Sequence, residues 1–320
     1  MLKGFKGRKI LVTGCDDFLG WLVALRLSEL GADVSVLSKG YICREDFYPS
    51  GCEPVTIDRL KSSGGDEDWF EDILFLEHPV ILPNSRIEKP FLDDQLSGLV
   101  ELLGVCGRRM PYFVYASSVS VYGKQKYLPI DENHPLEPIL IYGAAKLSGE
   151  YICRASALEN GFFYSIVRFG EIYGPGNGNA GGPEELIKSV LKNEPLAIMG
   201  SGGQVKSYLY VEDAVEATLK ILMNRPHNQI LNVAGNECVS TWHLANMVKQ
   251  NFPSQSDIAM SNNFLFDDIE CCVDSGKAWD LIGFRPKVDL ETGLKKTFEW
   301  LSGVNQKMSD INRRQFVNAG

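Results

Sequence analysis

The sequence predicts an α/β protein: a doubly wound, mostly parallel sheet followed by a smaller C-terminal lobe. Three observations carry this. Apolar strand-like runs alternate with helix-periodic segments from the N-terminus onward. A glycine-bearing turn, Gly14 to Gly20, joins the first strand to the first helix. After Arg168 the texture changes to a loop rich in glycine, proline and asparagine over 174–183, and then to short strands and helices.

The elements follow in order. Residues 9–13 form a short apolar strand, 19–30 a helix that stops at Gly31, and 33–37 a second strand. The segment 80–82 is a candidate fourth strand between Pro79 and Pro83. Helix 90–106, strand 112–117, helix 142–160 and strand 163–168 complete the first unit. Beyond it come helices 184–192, 212–223 and 241–251, strands 196–199, 205–210 and 230–233, and a closing amphipathic helix 290–301. The expected organisation is a first domain over 1–170, a mixed lobe over 171–302 that interleaves with it, and a polar tail over 303–320.

Composition excludes several classes. The net charge is -9 and no basic block stands out, so nucleic acid is not an expected partner. No apolar run reaches transmembrane length, and residues 1–9 lack the apolar stretch of a signal peptide. The 8 cysteines form no CxxC pair, and 4 scattered histidines accompany them. They read as free thiols of a cytoplasmic protein, with no metal site.

The chemistry concentrates at three positions. Tyr142 and Lys146 lie four apart on a helix and so share a face. An ammonium beside a phenol is expected to lower the tyrosine pKa, which suits proton exchange with a hydroxyl. Ser118 follows strand 112–117, at the edge where open α/β sheets bind ligands.

The segments ILVTG (10–14), FVYASSVSVYG (113–123), YGAAK (142–146), RFGEIYGPG (168–176), GSGGQVKSYLYVED (200–213) and LIGFRP (281–286) occur in one order along the chain. In this the chain resembles the extended short-chain dehydrogenase/reductases, specifically the NAD-dependent epimerase/dehydratase family acting on sugar nucleotides. The resemblance implies a Rossmann-type dinucleotide-binding domain and a substrate lobe. It implies a catalytic trio Ser118, Tyr142 and Lys146, an NAD or NADP cofactor, a sugar-nucleotide substrate and a homodimer. Val119 and Ser120 stand where dehydratases and decarboxylases of the family carry acids, so epimerases and keto-reductases are favoured.

The departures from the family pattern are equally specific. Gly14 and Gly20 remain in the first loop with Phe18 and Leu19 between them, but Asp17 replaces the middle glycine. That puts a negative charge where a pyrophosphate is expected; equally, Asp16 or Asp17 could simply cap the helix. Ser38 and Lys39 stand where an acid usually binds the ribose diol, which would tolerate a 2′-phosphate with Lys39 or Arg44 as partner. Asp58 matches an adenine-contacting aspartate, Glu171 replaces an asparagine, and Lys206 replaces a diphosphate-facing arginine. Pro83, Gln95 and Phe264 also depart from the pattern. Two readings stay open: a hydride-transferring epimerase or reductase with Tyr142 as acid/base, and a non-catalytic nucleotide-binding or regulatory protein on the same fold.

Overall fold

Each strand of the main sheet is an apolar run, as a sheet covered on both faces requires. In the computed structural model, which describes residues 4–38, 48–62, 69–77, 96–106, 109, 111–177, 182–260 and 269–303, the first three strands are β1 (Lys9–Val12), β2 (Asp33–Ser38) and β3 (Cys52–Thr56). They are joined to β4 (Asp72–Phe75), β5 (Tyr112–Ser118), β6 (Tyr164–Phe169) and β10 (Gln229–Val233) in one parallel sheet of order β10-β6-β5-β4-β1-β2-β3. The order reverses between β1 and β4, and that crevice, at the carboxyl ends of the strands, is where such sheets take ligands.

Helices α1 (Phe18–Glu29) and α6 (Val211–Asn224) cover one face, and α3 (Gly98–Cys106) and α4 (Ile141–Asn160) the other. The short α2 (Ile57–Ser62) follows β3. The remaining lobe has its own core around β7 (Glu171–Tyr173), β8 (Leu196–Ile198), β9 (Val205–Tyr210), α5 (Pro183–Lys192), α7 (Thr241–Asn251) and α9 (Leu290–Leu301). In that lobe β9 is flanked by β7, by β11 (Cys238–Ser240) and by β13 (Glu270–Cys271), while β12 (Ile258–Met260) pairs with β8. Helix α8 (Gly276–Ile282) packs against β10. Because β10 comes from beyond residue 171 yet joins the main sheet, the second part of the chain threads back into the first.

Two expectations are corrected here. The fourth strand is Asp72–Phe75, whereas the segment 80–82 lies outside the described residues. The strand begins with a buried carboxylate, Asp72, which makes it look unlike a core strand. Arg8 and Arg225, distant in sequence, supply the neutralising charges. The second correction concerns the cysteines. Cys238 and Cys272 are joined in a disulfide, with Cα atoms 5.4 Å apart and a separation of 34 positions in sequence. β11 and β13 flank β9 on opposite sides, and the chain leaving β13 at Cys272 brings the two thiols together. Cys15, Cys52, Cys153 and Cys271 are free.

A buried polar chain ties the sheet to α4. Arg168 at the end of β6 makes two parallel bonds to Glu150, Nε to Oε1 at 2.9 Å and Nη2 to Oε2 at 2.7 Å. Ser117 Oγ donates to the same Glu150 Oε1 at 2.5 Å. Arg168 Nη1 donates to Tyr122 Oη, which donates to Asn232 Oδ1 on β10 at 2.6 Å. The whole chain is out of water. Removing one member of a buried pair strands the other's charge, at a cost of about 3–5 kcal/mol. We therefore expect Glu150→Gln to lower the urea midpoint by that order, whereas Glu137→Gln, at a surface ion pair, should leave it within about 1 kcal/mol. Equal midpoints for the two variants would show that the Arg168 charge is relieved some other way.

Candidate active site

The site is assembled at the carboxyl edge of the main sheet. Where β1 ends, the chain turns through Gly14 at φ +73°, and a Cβ there would lie 2.7 Å from the Leu76 carbonyl oxygen at the end of β4. Gly20, in the first turn of α1, packs so closely on Gly14 that a Cβ would lie 2.2 Å from its carbonyl oxygen. Both glycines are demanded by backbone contact. Residue 17 is different. Its backbone is extended, at φ -108° and ψ 158°, which any residue adopts.

Asp17 is the N-cap of α1. Its Oδ1 accepts from the Phe18 N–H at 2.7 Å, and its carbonyl accepts from Trp21 N–H at 3.1 Å. The capping expectation therefore holds. Phe18 and Leu19 are buried in the turn that follows. Burial pushes the Asp17 carboxyl up to about 7; the Phe18 amide opposes this, the Asp16 charge adds to it, and Lys146 opposes it.

Ser118 closes β5, and its Oγ accepts from Ser120 N–H at 3.2 Å and donates to Ser120 Oγ at 3.1 Å. Ser120 sits in a single 3-10 turn, Val119–Val121, whose carbonyl leaves no room for a side chain at position 143 of α4. That contact seats the N-terminal end of α4, so that Ser118 bonds the side chain of Tyr142. Lys146, one turn on, is fully buried. Its Nζ donates to the carbonyls of Glu77 at 2.6 Å and Ala116 at 3.0 Å, and it lies 5.9 Å from the centre of the Tyr142 ring.

The charge balance corrects the expected lowering of the tyrosine. Burial raises Tyr142 above the ordinary phenol range, the Ser118 hydrogen bond opposes this, and the charges of Glu171 and Asp17 add to it. The ammonium is directed at two carbonyls rather than at the phenol oxygen. Lys146 itself is pushed down to about 7 by burial, against the pull of Glu77 and Asp17.

Glu171, on β7, and Lys206, on β9, form an ion pair at 3.1 Å. Glu171 and burial hold Lys206 in opposite directions, and the carboxylate wins, raising it above its ordinary value. Cys271 stands beside Lys206 across the β9–β13 pairing, its thiol pushed up to about 12 by burial.

Thus Gly14, Asp17, Phe18, Leu19, Gly20, Ser118, Ser120, Tyr142, Lys146, Glu171 and Lys206 gather at one edge, linked by the bonds and charges above. Ser38 and Asp58 follow along it. Ser38 ends β2 opposite Thr56, and Asp58 is exposed in the first turn of α2, 4.0 Å from Lys61. Lys39, Arg44, Pro83, Gln95 and Phe264 lie outside the described residues. Glu77 was missed by sequence reasoning; its signal was the apolar run that follows Asp72. Among the described residues no helix is long and apolar enough to cross a membrane, and no group of three or more His, Cys, Asp and Glu could hold a metal.

The model of the NAD dependent epimerase/dehydratase family matches residues 10–234. A putative UDP-glucose 4-epimerase of Methanocaldococcus jannaschii is 28% identical over 306 residues, covering 93% of this chain and 99% of the relative. The crystal structure of a UDP-glucose 4-epimerase with UDP-glucose from Thermotoga maritima superposes with a TM-score of 0.82 at 26% identity, over 93% of this chain and 99% of that one. A UDP-glucuronic acid 4-epimerase from Bacillus cereus, solved with UDP-glucuronic acid and NAD, shares the fold at a TM-score of 0.79 and 21% identity, over 92% and 99% of the two chains.

A folded-state carboxyl titrating near 7, against 3.8 when unfolded, keeps a proton that the unfolded chain has shed. Stability therefore falls as pH rises from about 4 to about 7, and the loss is complete above that. Asn caps a helix as well as Asp, so Asp17→Asn should melt higher than the parent at pH 8, by a few kcal/mol at most at about 1.4 kcal/mol per pH unit. The gain should shrink steadily toward pH 4. Thermal melts across this range check it; identical curves at pH 8 would mean that Asp17 ionises without penalty.

Proposed function

Since the chain belongs to the NAD dependent epimerase/dehydratase family, we propose that it epimerises the sugar of a nucleotide sugar, with Tyr142 as the acid/base. The observation that carries this is the bonded contact of Ser118 with Tyr142, one helical turn from buried Lys146. Named UDP-glucose epimerases among the relatives, matched end to end, support a UDP-hexose as substrate.

The residues of the first turn fit a dinucleotide. Gly14 and Gly20 hold the backbone tight against β4, and the N-terminus of α1 offers the positive end of its dipole. In this reading Gly14, Asp17, Phe18, Leu19 and Gly20 hold the pyrophosphate. Ser38 with Lys39 meets the adenosine ribose, Asp58 the adenine, and Lys146 the nicotinamide side. Bound there, the cofactor supplies a reversible hydride acceptor. NAD is favoured over NADP by the family and by the relative solved with it.

The protein's own residues manage the proton. Tyr142 Oη exchanges it with the reacting sugar hydroxyl while Ser118 Oγ holds the same oxygen. In the oxidising half of the reaction Tyr142 would act as phenolate and accept the hydroxyl proton as the hydride leaves, and in the reducing half it would return that proton to the new alkoxide. Lys146, once charged, is the cation close enough to stabilise that phenolate. Ser120 and Val119 bring no acid to the site, so elimination of water and loss of carbon dioxide both lack their usual acidic proton-transfer group there. Lys206, already engaged by Glu171, faces the nucleotide's diphosphate.

We read the working form as a cytoplasmic homodimer. The outer faces of α3 and α4 support the pairing: Val100, Tyr151 and Leu158 are exposed there at 52%, 55% and 87%. In the cytoplasm Cys238 and Cys272 would stand as neighbouring thiols.

Incubation with NAD and a panel of UDP-hexoses and UDP-hexuronic acids should give the epimer at unchanged mass by NMR and mass spectrometry. Loss of 18 or 44 mass units, about one water or one carbon dioxide, would overturn the choice of reaction class. Tyr142→Phe should lose about 10²- to 10⁴-fold in turnover and keep its cofactor affinity. Full activity in that variant would remove Tyr142 from the mechanism. A protein that binds NAD and leaves every sugar nucleotide unchanged would return the non-catalytic reading.

A further inference from the structure

Asp17 has one oxygen that its own fold does not use. Oδ1 is taken by the Phe18 N–H at 2.7 Å, which lays the carboxyl group across the N-terminal end of α1. Oδ2 is buried and has no hydrogen-bond partner among the described residues, and the residue as a whole is only 8% exposed. Two oxygens on one carboxyl, one satisfied and one bare, make an open valence at the start of a helix. An ionised carboxylate with an unsolvated oxygen is costly. A carboxylic acid has an O–H to donate and needs an acceptor.

The charges facing this group do not remove the problem. Asp16, on the same turn, has the same sign. From α4, Lys146 attracts it, but two Nζ hydrogens go to the Glu77 and Ala116 carbonyls, and Tyr142 is a neutral phenol. Glu77 at the end of β4 competes with Asp17 for the Lys146 charge, and Glu171 from β7 adds negative charge at Tyr142. Cys15, buried in the same turn, has its thiol raised well above its usual range and so stays neutral. The acceptor that fits a donor at a helix N-terminus is an anionic oxygen of a phosphate group.

We propose that Asp17 receives the pyrophosphate of the dinucleotide as a neutral carboxylic acid, its Oδ2–H donating to a phosphate oxygen, so that cofactor binding takes up one proton from solvent. This rests on the reading that the Gly14–Gly20 turn holds a dinucleotide. It turns the residue that departs from the family pattern from a repulsive charge into a donor that replaces a lost backbone approach. Burial that already lifts the carboxyl to about 7 supports it, since the proton is then half present at neutral pH before any phosphate arrives. No bond other than O–H is made or broken, and the proton returns to solvent when the dinucleotide leaves.

Titration calorimetry with NAD, and separately with ADP-ribose, tests this between pH 6 and 8.5 in pairs of buffers of different ionisation enthalpy. For the parent protein the dissociation constant should rise roughly tenfold per pH unit above about 7.5 and level off below about 6.5, with close to one proton taken up per ligand at pH 8. Asp17→Asn keeps the cap and presents an N–H₂ donor in place of the O–H. It should bind with little pH dependence, and more tightly than the parent at pH 8.5 by roughly tenfold or more. Lys146 also sits near 7 and could take up a proton beside an anion. If Asp17→Asn keeps the full slope, the proton belongs to Lys146 and the inference fails. Binding that is tight and pH-independent in the parent also overturns it, while leaving the dinucleotide reading in place. Failure of both proteins to bind either ligand at every pH overturns the dinucleotide reading, and the inference with it.

Discussion

The Glu150–Arg168 pair is the fixed point of the molecule. Arg168 lies beside Ser117 in the β5–β6 register, and Glu150 accepts from both. This clamps the last turn of β5, the end of β6 and the middle of α4 into one rigid unit. Ser118 is the next residue along β5, and Lys146 is one turn before Glu150 on α4. A strand end and a helix face that would otherwise slide over each other are therefore held in one relation, and that relation puts Ser118 on Tyr142. The same arginine reaches Tyr122, and through it Asn232 on β10. Asn232 Nδ2 in turn donates to the Ile130 carbonyl. The loop leaving Ser118 and the edge strand from the second part of the chain are thereby tied to the face that carries the candidate site. A buried ion pair is poor evidence for net stability; here it secures position.

Much of this was legible in the sequence. Strand and helix periodicity located β1, β2, β5, β6, β8, β9, β10 and the long helices α1, α4, α5, α6, α7 and α9 to within a residue or two, because a sheet covered on both faces must be written as apolar runs, whereas the short β3, β7, β11, β12, β13, α2 and α8 carried no such signal. Gly14 and Gly20 were legible for an equally hard reason, since backbone contacts there admit nothing larger. The failures share a different cause. β4 was overlooked because Asp72 looks like a surface residue until Arg8 and Arg225 arrive from the far ends of the main-sheet unit. The Cys238–Cys272 bond depends on two strands meeting across a third, which no spacing rule shows. The direction of the Tyr142 shift depends on burial and on the charges of Glu171 and Asp17, which lie on other elements and which Tyr-xxx-Lys spacing does not encode. Local patterns carried the elements; long-range charge placement carried the corrections.

Charge placement also explains why the loop could change where it did. Gly14 and Gly20 answer to the protein's own backbone, and a side chain at either would collide with a carbonyl. Position 17 answers outward. Its extended backbone costs a larger residue nothing, and Asp gains the Phe18 amide as a capping partner. Replacement there trades access for order. The turn loses room for close approach of a ligand and gains a capped helix, with one carboxyl oxygen left over.

That leftover oxygen belongs to a site in which Asp17, Lys146 and Tyr142 are displaced toward their neutral forms, while Glu171 holds Lys206 charged. Lys146 and Asp17 are both drawn toward 7 from opposite directions by the same burial, and Tyr142 is held as a phenol. Two groups of opposite type with pKa values near one another and within each other's field share protons rather than hold them separately. Charging either one favours charging the other. An anion arriving at the turn shifts that balance toward protonation of both, because its charge opposes an ionised Asp17 and favours an ionised Lys146. Asp17 in the glycine loop and Lys146 on α4 would thus respond to the same ligand. An anion in the loop would therefore favour the charged form of Lys146 beside the Tyr142 ring.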